Sequence, residues 1–125
     1  MLKKTLLFFI CFGFSIEAME FIAEAGFIPD GDTVFVKSGE HKGRSLRLKG
    51  IDAPEKGQQY YKASRWALIN KIDKKSLRVL VHDTDKYNRF LVTLYIEDLN
   101  VNQEMVKEGH AWAYRFRGIA ELYEQ

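Results

Sequence analysis

Between residues 44 and 51 the chain alternates, with Leu46 and Leu48 on one face of an extended segment and Arg47 and Lys49 on the other. A period of two marks a half-buried strand, and Gly50 breaks it just before Asp52 and Glu55. The same alternation returns at 90–96, where Phe90, Val92, Leu94 and Ile96 face one way and Leu91, Thr93 and Tyr95 the other. Leu77-Arg78-Val79-Leu80-Val81 makes a further strand. Upstream, a loosely apolar strand over 21–28 stops at Pro29, and Val34-Phe35-Val36 resumes after an Asp-Gly-Asp turn. Over 60–72 the period changes, and Tyr60, Ala63, Ala67, Leu68 and Ile72 recur at helical spacing. Asn102 and Gly109 suit the N-cap and C′ positions of a short second helix, and 111–116 reads as a last extended segment.

The first three strands, joined by short turns, suggest an antiparallel meander. Five strands with a helix between the third and fourth is the order of the OB-fold, a Greek-key barrel, mainly β with helices. No internal repeat, low-complexity tract or linker divides the chain, so one domain is expected. A chain of 125 residues, 46% of them hydrophobic, can bury a core without disulfides.

Residues 1–18 stand apart from this pattern. Met1-Leu2-Lys3-Lys4 is a short basic start, residues 5–16 are almost wholly apolar, and Ala18 offers a small residue at a cleavage site. This is the layout of an export signal, and the run is shorter than the roughly 20 residues of a stable membrane anchor. The single cysteine, Cys11, lies inside it behind the bulky pair Phe9-Ile10, which disfavours lipid attachment. A mature chain over 19–125 would be free of cysteine, and without Lys3, Lys4 and Glu17 it carries one net positive charge. With so weak a bulk field, recognition of a polyanion must come from a few placed arginines and a bound cation.

Three short stretches carry candidate chemistry. Asp30-Gly31-Asp32-Thr33 reads as a hairpin turn, or as a bend that aims the Asp32 carboxylate into a shared site, with Thr33 fixing its geometry. Asp52-Ala53-Pro54-Glu55 resembles a helix capping box, although Gly57 sits poorly in a first helical turn. Alternatively, Asp52 and the Ala53 carbonyl join Asp32 around a hard cation; oxygen-only ligation suits Ca²⁺ and leaves Glu55 free as a base. Asp85-Lys86-Tyr87-Asn88-Arg89 is a tight turn with Asn88 at a left-handed position, or a device that presents Arg89 beside Arg47 to grip one phosphate. Such charge-assisted forks contribute about 1.5–3 kcal/mol each.

Together, in this order on a five-strand pattern, these stretches resemble the three signatures of the thermonuclease family, the staphylococcal-nuclease-like OB-fold enzymes. The likeness covers essentially all of residues 20–125 and runs on through Val101-Asn102 to Gly109-His110-Ala111-Trp112-Ala113-Tyr114. It implies an exported, monomeric, Ca²⁺-dependent nuclease, secreted or periplasmic, that cuts DNA and RNA and leaves 3′-phosphate ends. By matching positions it implies Asp32, Asp52 and the Ala53 carbonyl as metal ligands. Arg47 and Arg89 would then hold the scissile phosphate, Glu55 would activate water, and Tyr87 and Tyr114 would line the nucleotide pocket.

The chain departs from the family pattern at Asn88 and Tyr61, both often glycine there, and at Phe116, often tyrosine. The family's C-terminal helix is largely missing from the pattern: Glu121-Leu122-Tyr123-Glu124-Gln125 leaves room for about one turn, so marginal stability is expected. A non-catalytic OB-fold module that binds nucleic acid is the rival reading, and an unfolded truncated product is a third. Retention of Asp32, Arg47, Asp52, Glu55 and Arg89 as a set favours the enzyme. His41, His82 and His110 sit in no zinc-binding spacing and read as ordinary surface or strand residues. Trp66 and Trp112 read as core, and Lys74-Lys75 as a solvated helix end.

Overall fold

A computed structural model describes residues 19–113. The expected export signal over 1–18, and Tyr114, Phe116 and the last residues, where about one helical turn was expected, lie outside the described residues.

The alternating segments fold as strands: β1 (Met19–Ala23), β2 (Thr33–Phe35), β3 (Ser45–Leu48), β4 (Ile51–Asp52), β5 (Leu77–Thr84), β6 (Phe90–Ile96), β7 (Leu99–Asn100) and β8 (Trp112–Ala113). Helix α1 spans Tyr61–Ile72 and α2 spans Val101–Lys107. The main sheet runs β1-β5-β6-β3-β2, with β7 folded back on β6, and β4 pairs with β8 separately. Most of these pairs are antiparallel, but β3 and β6 run parallel. The open ends of the sheet approach each other where Ala25 bridges Val36, with hydrogen bonds from Gly26 N–H to Phe35 O, Phe35 N–H to Phe27 O and Lys37 N–H to Glu24 O. The result is an OB-like, partly open barrel, mainly β with two described helices.

The antiparallel succession of the first three strands holds through the Ala25–Val36 bridge and the β2–β3 ladder, while the Met19–Ala23 half of the first strand pairs with β5. One expectation is corrected here. The segment over 44–51 is two strands, since Gly50 adopts a left-handed φ of 83° that turns the chain between β3 and β4.

The core lies inside the barrel and under both helices. Leu46 and Leu48 of β3, Val79 of β5 and Val92 and Leu94 of β6 are all fully buried, as the period of two requires. Helix α1 turns Ser64, Leu68 and Ile72 inward; burying a leucine such as Leu68 contributes about 1.5–3 kcal/mol. Trp66 and Trp112 are exposed rather than core, because they lie off the buried faces of α1 and β8. His41 packs its ring on Phe21, with centroids 4.2 Å apart, and meets Phe90 at an edge. Lys74 and Lys75 are exposed beyond the end of α1. Lys71 on α1 pairs with Glu108 after α2.

Asn102 is not the cap of α2. Asn100 holds that place, its side chain accepting from the Gln103 N–H at 3.1 Å. Asn102 is the second residue of the helix, buried, where its Oδ1 accepts from Leu94 N–H at 3.1 Å. Its Nδ2 donates to Val92 O at 2.9 Å and to Lys49 O at 3.0 Å. One amide thereby ties α2 to β6 and to the turn that ends β3.

Candidate active site

The Asp30–Thr33 loop is a tight turn, closed by a bridge between Asp30 and Thr33 and by the Asp32 N–H donating to Asp30 Oδ1 at 3.1 Å. Gly31 has no left-handed φ; it is needed for space. A Cβ there would stand 2.0 Å from Ser64 Oγ and 3.1 Å from the Ala53 Cβ. Ser64 cannot simply swing aside, since it is buried and donates to His110 O at 2.8 Å. Gly31→Ala is therefore expected to cost about 1–3 kcal/mol, the usual toll of overpacking. Urea denaturation measures it, and an unchanged midpoint would show slack in this contact.

Two side chains of α1 lock the same loop from behind. The Tyr61 hydroxyl donates to Pro29 O at 2.6 Å, and Arg65 Nε to Ile28 O at 2.7 Å. Tyr61, which departs from the family's usual glycine, thus has a structural task that the sequence did not disclose. Ser64 and Arg65 were missed for the same reason: their partners are backbone carbonyls distant along the chain, for which no motif exists.

Asp32 is buried, and both its oxygens are engaged. Thr33 Oγ1 donates to Oδ1 at 2.9 Å, and the Ala53 N–H to Oδ2 at 2.8 Å. Arg47 Nη2 stands 3.5 Å from Asp32 Oδ2 and 3.7 Å from Asp52 Oδ1, so one guanidinium nitrogen serves two carboxylates. That compensation is incomplete. Burial, aided by the hydrogen bond with Asp30, holds the Asp32 carboxyl up at about 6 against the pull of Arg47. A cation would relieve this deficit, and an oxygen-only donor set suits a hard one. Among the described residues no three His, Cys, Asp or Glu side chains lie close enough to hold a metal by themselves. The residues therefore fit a cation held by two carboxylates, with carbonyl, water and substrate oxygens completing its shell.

Arg47 is paired with Thr33 across β2 and with Leu91 across β6. Arg89 immediately precedes β6, two residues before Leu91, at the end of the strand that lies beside β3. Asp85 prepares it: Oδ2 accepts from Arg89 Nε at 2.7 Å, while Oδ1 accepts from the backbone N–H groups of Tyr87 and Arg89. Burial acts to raise the Asp85 carboxyl, but these bonds outweigh it and hold the group below its ordinary value. Asn88 takes a left-handed φ of 63°, as its place in the turn suggested, and its side-chain oxygen accepts from Arg44 at 3.2 Å. Tyr87 is exposed beside the guanidinium of Arg89, 5.3 Å from its ring centroid.

The capping-box alternative for Asp52–Glu55 is excluded, because α1 begins only at Tyr61, after a left-handed Tyr60. Glu55 instead sits exposed in a loop pinned by Gln58, whose Oε1 accepts from the Glu55 N–H at 2.6 Å and whose N–H donates back to Glu55 O at 2.9 Å. The structure thus brings Arg47 against both Asp32 and Asp52, sets Arg89 just before the strand next to that of Arg47, and leaves Glu55 three residues beyond Asp52.

A family model described as staphylococcal nuclease homologue matches residues 45–125. An uncharacterized endonuclease from Haemophilus influenzae is 40% identical over 98 residues, covering 78% of this chain and 55% of its own length. A micrococcal nuclease from Shigella flexneri is 35% identical over 117 residues, covering 84% of this chain and 67% of its own. A probable staphylococcal-like nuclease from Oryza sativa subsp. japonica is 38% identical over 97 residues, covering 74% and 28%. The chain thus spans about half the length of the Haemophilus relative and less of the rice one. With the matched region carrying β3, the Asp52–Glu55 loop and Arg89, the chain belongs to the staphylococcal nuclease homologue family.

Proposed function

We propose that this protein is a nuclease that hydrolyses phosphodiester bonds of DNA and RNA with the help of Ca²⁺. The observation that carries the reading is the sharing of Arg47 between Asp32 and Asp52, beside the strand that follows Arg89. In this reading Asp32, Asp52 and the Ala53 carbonyl hold the cation, which supplies neutralisation of charge growing on the phosphate oxygens. Arg47 and Arg89 grip the scissile phosphate from adjacent strands. Arg89 arrives already oriented by Asp85 through Nε, so little side-chain freedom is lost on binding. Glu55 takes a proton from the attacking water on the side opposite the leaving oxygen; with the 5′ oxygen leaving as the P–O5′ bond breaks, the other product ends in a 3′-phosphate. Tyr87 and Tyr114 flank the nucleotide.

Residues 1–18 are proposed as an export signal removed from the domain over 19–125, which would act as a monomer in a periplasm or outside the cell. No helix among the described residues is long and apolar enough to cross a membrane.

Incubating the chain over 19–125 with denatured DNA, with Ca²⁺ and separately with chelator, tests the reading. Degradation is expected with Ca²⁺ and is expected to stop on chelation, with 3′-phosphate ends among the products. Tight binding of the strand without cleavage in Ca²⁺ would instead establish a non-catalytic OB-fold module.

A further inference from the structure

A second cleft lies farther along the sheet face that carries Arg47. Its volume is about 490 Å³, within the range of about 300–1,000 Å³ that small-ligand sites occupy. Lys49, from the turn after β3, lines one side, and Lys107, at the end of α2, lines the other. Val106 and Ala113 give it an apolar lining, while His82 and Thr93, joined at 2.7 Å from Nε2 to Oγ1, form a polar wall. None of these residues belongs to the proposed catalytic set.

The register relates this cleft to the first site. Leu48 pairs with Val92 and the Lys49 N–H donates to Val92 O at 2.8 Å, so Lys49 falls opposite Thr93 on the face shared by Arg47 and Leu91. Two residues along a parallel strand advance about 6.6 Å. That step is comparable with the separation of consecutive phosphates along an extended single strand. Both lysines are exposed, so their charge is available to a ligand. Burial and the neighbouring Lys49 charge hold the His82 imidazole below its ordinary value; the ring thus favours its neutral form and acts as a hydrogen-bonding wall rather than a third cation.

We propose that the Lys49–Lys107 cleft is a subsite for the phosphate adjoining the scissile one, so that the protein binds single-stranded polynucleotide in preference to a single nucleotide unit. This rests on the nuclease reading for the position of the scissile phosphate. The two lysines hold the neighbouring phosphate, and Val106 and Ala113 receive the apolar part of the attached nucleotide.

The test is binding of fluorescein-labelled oligothymidylate of about twelve nucleotides, within the span of one OB barrel, followed by anisotropy across a salt series. Chelator keeps the strand intact. Lys49→Ala and Lys107→Ala are each expected to weaken binding roughly fivefold, the worth of an exposed ion pair. Each is also expected to make the logarithmic salt slope shallower by about 0.7, the value for one phosphate contact on a single strand. Lys74→Ala, at the opposite end of β5, serves as the reference and leaves the slope as in the wild type, while Lys49→Arg restores it. Wild-type affinity and slope in both alanine variants would overturn the subsite. Because this readout needs no cleavage, failure of the wild type to hydrolyse DNA in Ca²⁺ would sink the nuclease reading separately.

Discussion

Glu55→Gln is expected to lower the hydrolytic rate at least about 10²-fold, the smaller end of what a positioned general base contributes. The substitution is nearly isosteric and falls at an exposed residue whose loop is held through the backbone, by the paired bonds with Gln58. The loop should keep its shape, and neither Asp32 nor Asp52 loses a partner. The loss should therefore appear in kcat with KM little changed, the pattern of an interaction made only in the transition state. Activity within a few-fold of wild type, at unchanged melting temperature, would remove Glu55 from the role of base. The metal ligands and arginines would then have to activate water without it.

Asn102→Ala is expected to cost about 2–4 kcal/mol of stability. Of the three partners, Val92 O keeps a second bond from the Lys49 N–H, but Leu94 N–H and Lys49 O lose theirs. Each orphaned buried group costs about 1–3 kcal/mol. At about 4–8 °C per kcal/mol for a domain of this size, the midpoint should fall by at least about 8 °C. A fall of under about 4 °C would mean that water replaces the amide.

How much of this could be read from residues alone depended on where each partner lay. β6 was legible to the residue, because its face of Phe90, Val92 and Leu94 is fixed by a local period. α1 was legible to within one position, and Asn88 announced its left-handed turn. The motifs holding Asp32, Asp52 and Arg89 were visible as short strings, but that Asp32 and Asp52 meet at Arg47 depends on long-range packing that no local pattern encodes. Asn102 shows the limit most clearly. Asn is a good cap residue by type, yet Asn100 was equally eligible, and only the distant carbonyl of Lys49 decides between them. Trp66 and Trp112 failed for a related reason: large apolar side chains are usually inside, but the faces on which they sit have no described neighbour to cover them.

The barrel is zipped unevenly. β5 and β6 share a long ladder, whereas the join between Ala25 and Val36 is one bridge with three backbone bonds. Regions with few buried contacts and short ladders open at the lowest free energy, so breathing of the domain concentrates along that line. Asp32 lies only a few residues beyond it, yet its backbone O accepts from the Leu48 N–H at 2.8 Å and its Oδ2 from the Ala53 N–H. The carboxylate is thus stapled to the strand that bears Arg47, and loosening of the seam stops short of it.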